Sequence, residues 1–137
     1  MTKQEAKQMI EAFFSRLGEK ASFFDGKDFA KARIGEAVIG FEYDDADGVL
    51  SSEALIYRFR REPRDEILDA AFAEGETENG GGRIVYDSET FALYLQRDFT
   101  EKLDDAEFFE QIHELALASL RWNSEVLTRI AEKVSQA

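Results

Sequence analysis

Residues 36–43 read Glu36-Ala37-Val38-Ile39-Gly40-Phe41-Glu42-Tyr43, and residues 44–48 read Asp44-Asp45-Ala46-Asp47-Gly48. A second ordered run, Glu53-Ala54-Leu55-Ile56-Tyr57-Arg58-Phe59-Arg60-Arg61, follows shortly after. In the first run Ala37, Ile39, Phe41 and Tyr43 alternate with Glu36, Val38, Gly40 and Glu42. A period of two is the signature of a strand with one apolar face. The aspartates and Gly48 are turn chemistry. The second run predicts a strand with Leu55, Tyr57 and Phe59 on one face and Arg58 and Arg60 on the other. Together they predict an antiparallel hairpin.

Outward from this hairpin the pattern changes period. Pro63 ends the second strand, because proline cannot donate to a ladder. A short helix is expected from about Arg64 to Ala73, with Ile67, Leu68, Ala71 and Phe72 on one side. Residues 74–82, with four glycines and three glutamates, predict a mobile surface loop. A second hairpin follows, with Arg83–Tyr86 and Phe91–Arg97 as strands and Asp87-Ser88-Glu89 as the turn. From Asp104 onward one long uninterrupted helix is expected. Asp104 and Glu107 have the spacing of a capping box, and Phe109, Ile112, Ala116, Leu120, Leu127, Ile130 and Val134 form one stripe.

On the N-terminal side, Ala6, Met9, Ile10, Phe13, Phe14 and Leu17 have the spacing of an amphipathic helix. Thr2 and Glu5 form a capping box before it, and Gly18 is a stop. Residues 19–33 carry Phe23, Phe24 and Phe29 and show no clear strand. The fold class is therefore α+β: an antiparallel sheet of two hairpins packed by an N-terminal and a long C-terminal helix, in the order α-β-β-α-β-β-α. A length of 137 residues with 44% hydrophobic residues matches one domain spanning residues 1–137, with one core. The last helix, about 31 residues at roughly 1.5 Å each, reaches about 46 Å. A compact chain of this size is roughly 37 Å across, so a second copy of the chain is expected over the apolar overhang.

Charge and composition exclude several functions. The formal net charge is −12. Residues 34–103 hold seventeen acidic and seven basic side chains, whereas residues 1–33 hold five and seven. An acidic surface opposes binding to nucleic acid or to anionic membranes; it suits solubility, or a basic partner. With no cysteine, thiolate catalysis, disulfides and cysteine-based zinc sites are ruled out. No apolar run has the length of a membrane helix. The opening Met1-Thr2-Lys3-Gln4-Glu5 leads into a charged amphipathic segment and not a signal peptide, so the expected compartment is the cytoplasm.

His113, the only histidine, lies between Glu110 and Glu114 beside the helical stripe, where a boundary residue is the ordinary reading. The 44–48 turn fails as a calcium loop: with Gly48 at the sixth position, Tyr43 and Ala54 fall where ligands are required. Gly80-Gly81-Gly82 precedes a strand, whereas phosphate-binding glycines precede a helix. Arg58, Arg60, Arg61 and Arg64 are read as a solvated strand face and its exit. Trp122, Phe108 and Phe109 are read as core. No catalytic, cofactor or metal residue is assigned, and no cofactor is expected.

The order of elements, the acidity and the absent cysteine resemble the type III secretion chaperones of the Tir-chaperone type. Leu93-Tyr94-Leu95, Arg97-Asp98-Phe99, Leu103-Asp104 and Phe108 resemble that family's last strand running into its last helix. Ala118 to Trp122, then Val126 and Leu127, resemble its alanine, tryptophan and aliphatic pattern. The resemblance is sequence-like over about residues 91–127 and architectural elsewhere. It implies a non-catalytic homodimer that holds an extended segment of a client protein. It also implies client contacts from the first helix and nearby residues (Phe13, Phe14, Leu17, Phe23, Phe24) and a dimer contact through Ile67, Leu68, Ala71 and Phe72. Residues 19–33 and the glycine-rich loop depart from the family pattern. An alternative stays open: a small-molecule-binding or enzymatic α+β domain with a pocket between sheet and helices.

Overall fold

The structure, a computed structural model, describes residues 1–19, 29–74 and 78–136. The chain runs α1 (Lys3–Arg16), β1 (Phe29–Ile34), β2 (Ala37–Asp44), β3 (Val49–Arg58), α2 (Asp65–Phe72), β4 (Arg83–Asp87), β5 (Ala92–Phe99), α3 (Asp105–Arg121), a π-helical turn (Trp122–Val126) and α4 (Leu127–Gln136). One antiparallel sheet has the order β1-β2-β3-β5-β4. The expected α+β class holds, with one strand more than the sequence pattern showed. Strand β1 falls inside the stretch that lacked a strand signal. It is an edge strand, and only Ala30 and Ala32 of its alternation are buried among charged neighbours, so its apolar face is too small to stand out.

Helix α1 begins where the sequence places it. The Thr2 hydroxyl accepts from the Glu5 amide at 3.1 Å, and the Glu5 carboxylate accepts from the Thr2 amide at 2.9 Å. The Tyr43 hydroxyl donates to the Met1 carbonyl at 2.7 Å, tying the helix start to β2. Helix α3 is capped differently from expectation. Asp104 accepts from the Ala106 amide, while the Glu107 carboxylate accepts from Gln111 one turn on and makes no box.

One face of the sheet carries α1 and α3. Phe13 of α1, Phe41 of β2 and Phe108 of α3 meet edge-on or tilted, with centroids 5.4–6.2 Å apart, and Phe99 of β5 joins Phe108 at 5.1 Å. Such pairs add roughly 0.5–1.5 kcal/mol each beyond their buried area. Ile39, Leu50, Leu93 and Leu95 complete the sheet side, with Met9, Ile10, Ile112 and Leu115 on the helix side.

The buried face of β3 is not the one its aromatic residues indicated. Leu50, Ser52, Ala54 and Ile56 face the helices, and Leu55 faces away. Small residues here let α3 lie close to the sheet centre. The register then shifts between Leu55 and Tyr57. This bulge puts two residues of β3 opposite one of β5 and re-aims the chain beyond it, so Tyr57 and Leu55 do not share a face.

The predicted single C-terminal helix contains a break in its regular pattern at Trp122–Val126, where the Leu127 amide donates to the Trp122 carbonyl five residues back. In a regular α-helix every fourth residue drifts by about 40° around the axis. The wider turn takes up that drift and keeps Trp122, Val126 and Ile130 all buried. The two irregularities meet: Asn123 Nδ2 of the π-turn donates to the Ile56 carbonyl at the bulge, at 2.8 Å. Helix α2 packs on α4, so the chain itself covers part of the helical overhang assigned above to a second copy.

The described part of the glycine-rich segment is a packed strap and not a mobile loop. Gly80 has φ +57°, and a Cβ there would lie 2.7 Å from the Glu114 carbonyl and 2.8 Å from the Ala118 methyl. Trp122 Nε1 donates to both the Glu78 carbonyl (3.1 Å) and Asn79 Oδ1 (3.0 Å). Arg121 and Arg129 pair with Glu78, and Arg129 also pairs with Glu74. The glycines here permit close approach to α3. Sequence alone presents the same residues as flexibility.

Two substitutions test this account by chemical denaturation. Phe13→Ala is expected to cost about 3–5 kcal/mol, because it opens a cavity where three elements meet. Trp122→Phe keeps most of the volume but leaves Asn79 and the Glu78 carbonyl without their donor, and is expected to cost about 1–3 kcal/mol.

Candidate functional site

The bulge and the π-turn shape a groove on the helix side of the sheet. Beyond Leu55 the chain of β3 turns Tyr57 and Phe59 toward the helices, with their rings edge-on at 5.0 Å. The Phe59 amide donates to the Phe91 carbonyl at 2.8 Å, which holds Phe59 past the end of β3. Phe91 itself has φ +57°, a left-handed conformation rare for a bulky residue. Ile67 of α2 and Leu127, Thr128 and Ala131 of α4 close the other sides, and Asn123 stands at the end. The groove holds about 360 Å³. A neighbouring depression of about 310 Å³, lined by Val38, Leu55 and Leu120 among others, shares Tyr57 and Asn123 with it. Both are open to solvent, which is the shape for a chain segment and not for an enclosed small molecule.

The sequence-derived site residues are placed as follows. Phe13 and Phe14 are 1% and 4% exposed. They are core residues, so in this conformation they offer no surface to a client, contrary to the expectation. The reason is that α1 packs against α3 as well as the sheet, so its wide apolar stripe is covered on two sides. Leu17 is half-buried against the core. Phe23 and Phe24 lie outside the described residues. In α2, Ala71 is fully buried within the chain and is therefore an inward contact. Ile67 and Leu68 are half-buried, and Phe72 is 53% exposed. The groove residues Tyr57, Phe59, Leu127, Thr128 and Ala131 were not singled out. Their signal was present as two aromatics running into an arginine-rich exit, but bringing them to α4 required the bulge.

Other candidates resolve simply. His113 is exposed and stacks on Phe109, with centroids 6.2 Å apart. Arg58, Arg60, Arg61 and Arg64 are exposed, and Arg64 pairs with Glu66 at 3.4 Å. Among the described residues no group of three or more histidine or acidic side chains is arranged to hold a metal ion. Nor is any described helix long and apolar enough to cross a membrane.

The far face of the sheet is acidic at its centre. Glu53 of β3 sits opposite Gly40 of β2 and Gln96 of β5, and Glu42 and Asp98 lie one row away. Burial raises the Glu53 carboxyl above the ordinary glutamate range, and Glu42, Asp87 and Asp98 push it the same way. Asp98 is different. Burial works against its charge, but hydrogen bonds from Gln96, Ser51 and Arg83 outweigh it and hold the carboxyl low.

Against known structures the chain matches along nearly its whole length. It superposes on a chain of the ExsC–ExsE complex with a TM-score of 0.73 at 13% identity, covering 91% of this chain and 96% of that one. The chain therefore shares the α+β fold of that structure. A chain of the HopA1–SchA chaperone–effector complex matches at a TM-score of 0.67 and 17% identity, over 88% of this chain and 94% of that one. A chain of the heterodimeric ExoU–SpcU complex from the type III secretion system of Pseudomonas aeruginosa matches at 0.58 and 14%, over 83% and 94%. No family model and no curated protein sequence matches the chain. The fold is therefore shared with these structures at 13–17% identity, where the packing pattern, and little of the residue detail, is common.

Glu53 supplies a pH test. Its folded-state carboxyl lies above the unfolded value of about 4.3, so its ionisation destabilises the fold. The penalty is absent below about pH 4 and grows as pH rises through the raised value. Glu53→Gln is thus expected to melt higher than wild type at pH 7, with the difference closing as pH falls through the carboxylate range; thermal melts at a series of pH values measure it.

Proposed function

We propose that this chain is a non-catalytic, cytoplasmic chaperone or adaptor that holds an extended segment of a client protein. The observation that carries the reading is the near-complete match to chains of complexes with protein partners, one of them a chaperone–effector complex. The open apolar groove at Tyr57, Phe59, Ile67 and Leu127 supports it. An extended or helical segment can lower alternate apolar side chains into such a groove. The excess of negative charge keeps a partly apolar complex soluble. The reading includes a homodimer, with Phe72 and the outward edges of Ile67 and Leu68 as its contact. Leu17, and the aromatic residues Phe23 and Phe24 that follow it, are kept as client contacts.

Two measurements test it. Purified full-length chain is expected to sediment as a dimer at micromolar concentration, and Phe72→Glu to sediment as a folded monomer; a wild-type monomer would remove the dimer from the proposal. In the native cytoplasm, tagged wild-type chain is expected to retain one dominant protein in stoichiometric amount, bound through a short segment that limited proteolysis can define. Tyr57→Glu is expected to lose that partner at least about tenfold, as a charge placed in a desolvated apolar contact does. Capture that is unaffected by Tyr57→Glu would move the client site away from this groove.

A further inference from the structure

The face of the sheet turned away from α1 and α3 has, among the described residues, no helix packed on it. Its side chains follow from the register. Row by row across the strands they are Glu42, Ser51 and Asp98; then Lys31, Gly40, Glu53, Gln96 and Arg83; then Leu55, Tyr94 and Val85. Two depressions meet in the middle of this face. A notch of about 120 Å³ lies over Gly40, where a side chain is missing between Lys31 and Glu53. A wider groove of about 440 Å³ runs toward the β2–β3 turn and is lined by Glu42, Asp44, Asp45, Ser51, Glu53 and Gln96, among others. Glu42 and Glu53 line both. The wider groove is lined by four carboxylates and no cation.

The carboxylates do not converge. They are spread over two adjacent strands and a turn, and no described group of three or more could grip one metal ion. A surface that distributes its charge this way fits an occupant that distributes its own. An extended chain presents a side chain to one face every second residue, so its cations would fall along the groove. Of the neighbouring charges, Arg83 is paired to Asp98 at 3.1 Å and Lys31 lines the notch on the other side of Gly40; Glu53 is pushed away from ionisation by burial and by Glu42, Asp87 and Asp98. A half-buried carboxylate in that position costs stability in the free chain, and a partner's cation is the group that would offset it.

We infer that the open sheet face is a second docking surface, which takes an extended lysine- or arginine-rich segment of a partner protein across Glu42 and Glu53, with one cation seated over Gly40. The inference rests on the reading that the chain binds protein, and is independent of which protein occupies the apolar groove on the other side. It assigns a role to the acidic middle of the sequence beyond solubility.

The test uses full-length protein and a fluorescein-labelled nine-residue peptide alternating arginine and threonine, with the alternating glutamate–threonine peptide as control, read by fluorescence anisotropy at fixed ionic strength. The arginine peptide is expected to bind and the glutamate peptide not to. Glu42→Gln combined with Glu53→Gln is expected to weaken binding at least about tenfold, and Gly40→Val, which fills the notch, to weaken it several-fold. Glu110→Gln combined with Glu132→Gln, an equal charge loss on exposed helix positions, is expected to leave it unchanged. Thermal melts of the same samples separate the role from a structural one, because Glu53→Gln is expected to raise stability at pH 7 while it lowers affinity. Wild-type affinity in the Glu42/Glu53 variant, or an equal loss in the Glu110/Glu132 variant, overturns the inference and leaves only general charge attraction. The apolar-groove reading is judged separately by the Tyr57→Glu capture, so failure of either is distinguishable from failure of the other.

Discussion

A five-stranded sheet covered on one side needs its helices fixed against it, and here that constraint is met by the contact of Phe13, Phe41 and Phe108. Each ring comes from a different element, so the contact sets the separation of α1, the sheet and α3 at once. Aromatic edges and faces allow only a few arrangements. The rest of the covered face can then be made of smaller residues, and Ser52 and Ala54 at the centre of β3 are the consequence. That choice determines which side of β3 is buried, and hence what is left facing outward.

The same chain segment manages the transition from core to surface. After Leu55 the bulge turns β3, and after Arg121 the π-turn re-phases the C-terminal helix; Asn123 bonds the two together through the Ile56 carbonyl. Bulges and π-turns are tolerated where the ladder bonds they free find other partners. Here the freed carbonyl has one. The strap from Glu78 to Gly82, fastened to Trp122, holds the outer side of the same helix. The apolar groove borders the bulge and the π-turn, and its lining residues other than Phe59 stand on β3, α2, the π-turn and α4.

The two faces of the sheet therefore differ in chemistry. The helix side ends in an open apolar groove, and the far side carries carboxylates around a glycine notch. Keeping the charges on the face that no described helix covers avoids burying them beneath α1 and α3, where desolvation would be much larger. The partial burial of Glu53 among like charges is the visible cost of crowding them there.

Sequence by itself determined the elements with strong period and clear ends. Helix α1 was legible from its stripe and its Thr2–Glu5 box, β2 from Ala37 to Tyr43, and β5 from Phe91 to Arg97; the fold class and its resemblance followed from their order. The same local rules misread whatever depended on contacts distant in the chain. Edge strand β1 covers its inner face with the small Ala30 and Ala32 and, at its end, half-buried Ile34, which do not stand out in the sequence; its pairing with β2 is what makes it a strand. Phe13 and Phe14 read as interface candidates because nothing local shows that α3 will cover them. The glycines at 80–82 read as flexibility because only the approach of Glu114 and Ala118 reveals the space they leave free. Above all, the side of the sheet that Tyr57 and Phe59 meet was decided by a one-residue shift between Leu55 and Tyr57. Such a shift changes which side of the sheet every later residue meets, and the carbonyl at it is bonded by an asparagine in the π-turn 67 positions along the chain, which no local pattern records.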